Sequence, residues 1–187
     1  MGKRMKIRNT PIAGLVLVEP EVHADHRGVF SRLFCSQALG EILQSRSIAQ
    51  ANHSLTRTAG TVRGLHYQNA PYSEMKLVRC LKGRVWDVVV DLRVGSPTLL
   101  QWHAEELSAD NRHMLVVPEG CAHGFQVLAA DSELLYLHTA AYTPAAEGGI
   151  RPTDPRLAIR WPLPLQDLSE RDRSHPLLQS GFSGLTP

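Results

Sequence analysis

The sequence has few cysteines, little excess charge and no long apolar run. Its three cysteines, Cys35, Cys80 and Cys121, lie far apart in the chain and are odd in number. A disulfide framework is therefore not expected, and a reducing cytoplasm is the predicted location. The formal net charge is only +2 and the basic residues are scattered. Nucleic-acid-binding domains usually concentrate basic residues in one patch, so we expect no nucleic-acid partner.

Segments that could cross or enter a membrane are also absent. The apolar run at 85–90 has only strand length and contains Asp87, so no membrane span is expected. The basic N-terminal residues 1–6 are not followed by an apolar stretch of signal-peptide length. With 187 residues and no linker-like segment, the chain is expected to form one domain over 1–187. The Pro-rich segment 163–187 is expected to pack back on it as a tail, with a disordered tail as the alternative.

Short β-strand patterns dominate the middle of the chain. In Arg84–Arg93, side chains alternate between two faces in the period of two that is typical of a strand. Further strands are predicted at 101–107, 114–117, 124–128 and 133–139, and their spacing of about ten residues favours a sandwich or barrel. Helix is predicted only at Ser36–Arg46, with Ser36 as its N-cap, and in a short segment near Asn111.

The segment 62–68 contains the first candidate for catalysis. In a strand, Gly64 and His66 share one face, whereas Leu65 and Tyr67 share the other. Histidine has a pKa near neutral pH, which suits a general base. A lone histidine on a strand is more often structural, so His66 by itself does not establish a site.

The segment Pro118–Phe125 contains the pattern Pro-x-Gly-x-x-His, which ends at His123. This pattern resembles the second half-motif of cupin barrels, in which the histidine can be a metal ligand. The region that should supply the other ligands offers only His66, and a catalytic metal typically needs three protein donors. We therefore expect no metal in this site.

Two further segments place polar side chains on one strand face. The side chains are Tyr136, His138 and Tyr142 in one segment and Gln50, Asn52 and Ser54 in the other. Buried polar tips need hydrogen-bond partners, so both rows suit the wall of a polar pocket. Aromatic packing with the polar tips in water explains the first row equally well, and an outward-facing edge strand explains the second.

In this order and spacing, these segments resemble the dTDP-4-keto-6-deoxyglucose 3,5-epimerases of rhamnose biosynthesis and their relatives in other deoxysugar pathways. The resemblance extends from about Ile12 to Leu177. Its markers are Asp25-His-Arg27-Gly28-Val-Phe30, Gln50-Ala-Asn52-His-Ser54, Val62-Arg-Gly-Leu-His66-Tyr-Gln, Lys76-Leu-Val-Arg-Cys, Asp87-Val-Val-Val-Asp91-Leu-Arg, Ser96-Pro-Thr98, Leu107-Ser-Ala, Pro118-Glu-Gly-Cys-Ala-His123-Gly-Phe, Asp154-Pro155, Trp161-Pro162 and Leu168-Ser-Glu-Arg-Asp172. The resemblance implies an all-β, cupin-type jelly-roll barrel with a few short helices. It also implies an isomerase without a cofactor, and a homodimer in which N-terminal strands cross between barrels.

The resemblance also assigns roles to individual residues. His66 matches the catalytic base, Asp172 the carboxylate that orients it, Tyr136 the acid on the opposite face, and Lys76 the lysine near the enolate. The implied substrate-binding residues, with Tyr142 added from the strand pattern, are Arg27, Phe30, Gln50, Asn52, Arg63, His123 and Tyr142.

These roles match the chemistry that epimerisation beside a ketone requires. A C4 ketone acidifies the hydrogens on C3 and C5, and returning a proton to the other face inverts the centre. The reaction needs a base, an acid on the opposite face and positive charge near the oxyanion. The expected substrate is a dTDP-linked 4-keto sugar. Arg32 stands where many members carry an acidic residue, which leaves CDP- or GDP-linked sugars, single-centre inversion, or a non-epimerising sugar-binding or isomerase cupin as alternatives.

Overall fold

The computed structural model describes residues 5–187, and β-strands dominate it. The first part of the basic N-terminal segment, 1–4, lies outside the described residues. The strands are β1 (Lys6–Asn9), β2 (Val16–Glu19), β3 (Val22–Asp25), β4 (Gly28–Ser31), β5 (Gln50–Thr56), β6 (Val62–Gln68), β7 (Lys76–Lys82), β8 (Arg84–Asp91), β9 (Trp102–Ser108), β10 (Met114–Val117), β11 (Cys121–Val127), β12 (Ser132–His138) and β13 (Glu147–Gly149). The helices are α1 (Gly40–Leu43) and α2 (Glu170–Ser174), with a 3-10 turn at Pro144–Ala146. The all-β prediction is confirmed.

Two antiparallel sheets face each other as a jelly-roll barrel. The first sheet has the order β1-β2-β10-β7-β12-β5, and the second has the order β13-β6-β11-β8-β9. The strands β3 and β4 form a separate two-stranded hairpin. Neighbours in both sheets are mostly distant in sequence, which explains why the period-two patterns located strands without revealing their partners. No helix among residues 5–187 is long and apolar enough to cross a membrane.

The hydrophobic core lies between the two sheets and continues on their outer faces. The central cluster joins Leu17 and Leu115 of the first sheet to Val89 and Phe125 of the second. Tyr136 packs against this cluster from its partly buried position. Burying such side chains stabilises the fold by about 1.5–3 kcal/mol each. The barrel interior is therefore apolar at this end, and the polar residues described below lie beyond it.

Strand β8 shows the predicted alternation of two faces, but both faces are buried. Val85 and Val89 belong to the central cluster. Val88 and Val90 point the other way, into a second cluster that is covered by residues of the C-terminal segment. This cover includes Leu178, Phe182 and Leu185 of the segment 163–187, and Trp161 just before it. By contrast, Leu165 and Leu177 are exposed.

The helix predictions need correction. Only Gly40–Leu43 of the predicted Ser36–Arg46 is helical, and its N-cap is Leu39, without a side-chain hydrogen bond, rather than Ser36. The helix ends at Gln44, which has a positive φ of 53°. No helix forms at Asn111, because its side-chain oxygen accepts hydrogen bonds from backbone N–H groups on both sides and closes a turn instead. The strand predictions hold within a few residues, although β11 begins at Cys121 rather than Gly124.

Asp91 holds the loop that follows β8. Its fully buried carboxylate accepts hydrogen bonds from the Arg93 guanidinium at 2.9 and 2.7 Å and from the hydroxyls of Ser96 and Thr98 at 2.6 Å each. Burial opposes ionisation, but these donors hold the pKa of Asp91 far below its usual range. Asp91 therefore contributes stability that is complete above its unfolded-state pKa of about 3.9 and is lost as the pH falls toward the folded-state value.

We expect Asp91→Ala to lower the free energy of unfolding by about 3 kcal/mol, because it removes a fully buried carboxylate and leaves the partly buried Arg93 guanidinium and the two hydroxyls without their acceptor. Urea denaturation at neutral pH measures this change, with Asp110→Ala as the control at an exposed aspartate. Wild-type protein should lose stability more steeply than the variant as the pH falls below about 4. Equal free energies of unfolding for both variants would contradict this role.

Candidate active site

A polar pocket of about 1060 Å³ opens between the two sheets. The second sheet contributes β6 and β11, and the first sheet contributes β5, β7 and β12. Nine of the eleven predicted site residues line it: His66, Tyr136, Asp172, Lys76, Gln50, Asn52, Arg63, His123 and Tyr142. Of the two alternatives left open for each polar row, the structure shows the inward one, because the members of both rows that lie in strands line the pocket.

His66 and Asp172 form a close pair on one side of the pocket. His66 Nε2 lies 2.6 Å from Asp172 Oδ1, and Asp172 Oδ2 accepts a hydrogen bond from the Gly64 N–H at 3.2 Å. Ser169 is the N-cap of α2, and its hydroxyl oxygen accepts a hydrogen bond from the Asp172 N–H. This cap fixes the position of the Asp172 carboxylate next to the imidazole. Burial would raise the pKa of Asp172, but the hydrogen bond from His66, the charge of His66 and the hydrogen bonds from Gly64 and Ser169 together lower it.

The charged Asp172 determines which nitrogen of His66 is basic. An ionised carboxylate can only accept a hydrogen bond, so the imidazole nitrogen next to it must be the one that carries the proton. The neutral His66 ring therefore has its proton on Nε2. Among the described residues, no group forms a hydrogen bond with Nδ1. Nδ1 is therefore the nitrogen that is free to accept a proton from a substrate. The Arg171 Nη2 atom also lies 3.2 Å from His66 Nε2, and Arg171 is held by two hydrogen bonds to Glu147.

An irregularity in β6 brings Arg63 and His66 to the same pocket. Strict alternation would place Arg63 with Leu65, on the face opposite to His66. In the structure, His123 pairs with His66 but Phe125 pairs with Arg63, so β6 contains one extra residue at this point. Such a bulge changes which side chains share a face. The Arg63 Nε atom donates to Thr56 Oγ1 at 2.9 Å, and no carboxylate among the described residues pairs with its guanidinium.

Tyr136 reaches the pocket from the opposite sheet. Its hydroxyl lies 3.1 Å from Ser54 Oγ, and burial raises its pKa far above the usual value. The phenol therefore keeps its proton at neutral pH. His123 lies edge-on to the Tyr136 ring, with centroids 6.3 Å apart, and is itself held by both oxygens of the fully buried Asp87 at 2.9 and 3.0 Å. Burial raises the pKa of Asp87 despite this contact.

Lys76 connects the two sides of the pocket. Its Nζ atom donates to the His66 carbonyl at 3.2 Å and lies 3.3 Å from Glu74 Oε1. The other Glu74 oxygen lies 2.7 Å from His138 Nδ1, and His138 Nε2 lies 3.3 Å from Asn52 Nδ2. Burial would raise the pKa of Glu74, but His138 and Lys76 lower it. The lysine charge is thus placed in the pocket by a buried carboxylate.

Arg27 and Phe30 do not line this pocket in the single chain. Both lie on the β3–β4 hairpin, where the Phe30 side chain is exposed and Arg27 forms an ion pair with Asp25 at 2.6 Å. Neighbouring Val22 and Val29 are exposed as well. The structure therefore separates these two residues from the other nine predicted site residues, which line the pocket.

The arrangement can remove a proton from one face of a substrate and deliver a proton to the opposite face. An imidazole–carboxylate pair approaches from one sheet, a protonated phenol approaches from the other, and the Lys76 ammonium group lies against the His66 backbone in the same pocket. These are a base, an acid and a cation that can stabilise an oxyanion. A family model described as dTDP-4-dehydrorhamnose 3,5-epimerase matches residues 9–180. The chain belongs to this family.

Similar proteins in the epimerase family match along nearly their whole length. The dTDP-4-dehydrorhamnose 3,5-epimerase of Sinorhizobium fredii is 42% identical, with 93% of this chain and 90% of that protein covered. The dTDP-4-dehydrorhamnose 3-epimerase of Streptomyces niveus is 40% identical, with 98% and 89% covered. The crystal structure of the 3,5-epimerase of Bacillus anthracis with TDP and PPi bound has a TM-score of 0.90 and 39% identity, with 93% and 99% covered.

Sequence reasoning missed several charged residues of the pocket. Glu74, Arg171 and Glu147 line it, although no pattern around them distinguishes them from surface residues. Asp87 offered a signal, because it interrupts an otherwise apolar strand. A buried carboxylate needs a partner, so an aspartate at this position predicts a polar or basic group packed against it. His123 is that group.

Proposed function

We propose that the protein is an epimerase that inverts C3, C5 or both in a dTDP-linked 4-keto-6-deoxyhexose through an enolate. The observation that carries the proposal is the placement of His66 and Tyr136 on facing sheets of one pocket. A base and an acid that approach from opposite sides are what inversion requires. A retaining proton exchange would need only one of them.

In the proposed mechanism, His66 Nδ1 removes a proton from the carbon next to the ketone. Asp172 stabilises the imidazolium that forms, because its charged oxygen already accepts the Nε2 proton. The enolate oxygen develops negative charge near the ammonium group of Lys76. The Tyr136 phenol then donates its proton to the opposite face of the carbon, and the resulting phenolate is reprotonated from solvent.

The proposed diphosphate-binding group is Arg63. Its guanidinium faces the pocket without a carboxylate partner among the described residues, and Arg is well suited to bidentate phosphate contacts. The structure of the Bacillus anthracis relative holds TDP and PPi, which supports a nucleotide-linked substrate. Gln50, Asn52, His123 and Tyr142 are proposed to contact the sugar or the nucleotide. No metal or organic cofactor takes part in the proposed reaction.

Inversion of a single centre is the second candidate. It is supported by the Streptomyces niveus relative, which is a 3-epimerase with 40% identity. The same base and acid serve either outcome, so the number of inverted centres depends on how the sugar ring turns in the pocket. Arg32, which is exposed on the loop after β4, keeps CDP- and GDP-linked sugars among the substrates to test.

Incubation in D2O with dTDP-, CDP- and GDP-linked 4-keto-6-deoxyglucose tests the proposal. We expect deuterium at C3, C5 or both of the dTDP-linked sugar, read by proton NMR, and slower exchange for the other two. Exchange at one carbon alone would identify the single-centre reaction. No exchange above the enzyme-free rate with any of the three sugars would show that the protein is a binder rather than an epimerase.

We also propose a cytoplasmic homodimer. The exposed hairpin side chains Val22, Val29 and Phe30 form an apolar surface of the kind that a second copy would cover. In the single chain, β1 pairs with β2 and forms an edge of the first sheet, where a neighbouring strand could be added. The three cysteines are unpaired, as expected in a reducing compartment. Sedimentation velocity would distinguish the dimer from a monomer.

A further inference from the structure

One buried nitrogen beside the catalytic pair has no partner. His175 directly follows α2, and its Nε2 atom is buried without a hydrogen bond to any described residue. It lies 3.6 Å from Asp172 Oδ1, which is too far for a hydrogen bond. Buried ring nitrogens are normally satisfied, so an unpaired one next to a carboxylate requires an explanation.

The unpaired nitrogen belongs to a compact set of three donor atoms. The donor atoms of His66, Asp172 and His175 all lie within 4.8 Å of one another. Asp172 Oδ1 is 2.6 Å from His66 Nε2 and 3.6 Å from His175 Nε2. Tetrahedral zinc with bonds of about 2.0–2.2 Å separates its ligand atoms by about 3.3 Å. These two distances lie on either side of that value, and the two imidazole donors are at most 4.8 Å apart, so side-chain movements of about 1.5 Å or less would form the site.

The fold holds these donors in place through two local features. Asp172 and His175 are three residues apart at the end of α2, a spacing that puts both side chains on one face. Gly149 lies opposite His66 in the β13–β6 pairing. A Cβ at Gly149 would lie within 2.6 Å of three His175 ring atoms, so the missing side chain is what admits the imidazole.

We infer that His66, Asp172 and His175 form a binding site for a transition-metal dication of the zinc type, and that the bound ion inhibits the epimerase. Two imidazole nitrogens and one carboxylate oxygen are a donor set that suits zinc, whereas magnesium prefers oxygen ligands and water. Three protein donors leave a fourth position for water. Only His66 of this set comes from a cupin half-motif region, and His123 of the second half-motif is held by Asp87 instead.

Inhibition follows from the two nitrogens of His66. Zinc bound to Nε2 of the neutral ring places the ring proton on Nδ1. No proton leaves the ring in this step; the proton moves from one nitrogen to the other, and Asp172 exchanges a hydrogen bond for a metal bond. Nδ1 is the base in the proposed mechanism, so the metal-bound ring cannot accept a proton from substrate. The inhibition, but not the binding, rests on the proposed function.

Arg171 sets the charge around this site. Its guanidinium approaches His66 Nε2 at 3.2 Å and would have to move away when a cation binds. About half of the Arg171 side chain is exposed, and Glu147 neutralises its charge, so the movement is into solvent. Arg171→Met should therefore tighten zinc binding, because it removes a positive charge next to the ion.

Isothermal titration of the metal-free protein with zinc sulfate tests the site directly, and the visible absorption of bound cobalt reports its coordination. We expect one site in the micromolar range or tighter, weakened more than about 10-fold by His175→Ala and by His175→Gln. The control is His103→Ala, which removes a histidine–carboxylate pair of similar geometry outside the pocket and should keep wild-type affinity. Circular dichroism checks that each variant is folded.

Turnover assays complete the test. Zinc should inhibit exchange by the wild type and by His103→Ala, while His175→Ala should show normal turnover that zinc does not inhibit. The inference is overturned if zinc does not bind, or if a folded His175 variant binds zinc as the wild type does. Zinc binding that requires His175 in a protein without epimerase activity would support the metal site and contradict the proposed function instead.

Discussion

Replacing His66 by alanine should reduce epimerisation by about 10²–10⁴-fold, the range that general base catalysis typically contributes. The variant keeps Asp172, Lys76 and Tyr136 but has no group that can take a proton from the carbon beside the ketone. The measurement is the rate of deuterium incorporation from D2O into the sugar, followed by proton NMR. Both C3 and C5 should lose exchange together, because one base serves both centres in the proposed mechanism.

His103→Ala is the matched control for this experiment. His103 also pairs with a carboxylate, Glu105, at 3.0 Å, but it lies on β9 outside the pocket. Its removal should leave exchange unchanged. If a folded His66→Ala variant exchanges deuterium at the wild-type rate, another group is the base and the assignment of Nδ1 is wrong.

Tyr136→Phe should separate proton removal from inversion. The substitution deletes only the hydroxyl, so His66 can still remove the proton and return a deuteron to the same face. We therefore expect deuterium exchange at the same sugar carbons as in the wild type, with retention of configuration. The rate at which inverted product forms should fall by about 10²-fold or more. Chromatographic separation of the sugar epimers gives the inverted fraction, and NMR of the same samples gives the exchange.

The control for the phenol is Tyr67→Phe, since Tyr67 is a partly buried tyrosine that packs on the outer face of the second sheet. It should invert the substrate at the wild-type rate. If Tyr136→Phe forms inverted product as fast as the wild type, the acid on the opposite face is a different group. His123 would then be the next candidate, because it contacts the Tyr136 ring.

Local pattern was sufficient to predict the strands and the polar rows that line the pocket. The alternation in β8 located a strand that is buried on both faces, and the rows containing Tyr136 and Asn52 pointed inward as polar rows in a barrel should. The motif order placed His66, Lys76 and Asp172 in one site although they are distant in sequence. That prediction depended on the family resemblance, because strand partners in a jelly roll are not neighbours in sequence.

Other features depend on tertiary contacts that no local pattern contains. Arg63 shares the pocket with His66 only because β6 has an extra residue opposite β11. Glu74 became a pocket residue through its contacts with Lys76 and His138, which come from neighbouring strands. The predicted helix at Ser36–Arg46 shrank to one turn, since apolar periodicity alone does not compensate for a missing cap in so short a segment.

In the proposed mechanism, the base and the acid act on opposite faces of the same sugar ring. A crystal structure of the protein with a dTDP-linked sugar bound tests it most directly. We expect His66 Nδ1 and the Tyr136 hydroxyl to lie on opposite faces of the ring, each about 3–3.5 Å from C3 or C5. A sugar ring with both groups on one face, or bound outside the pocket between the sheets, would contradict the mechanism.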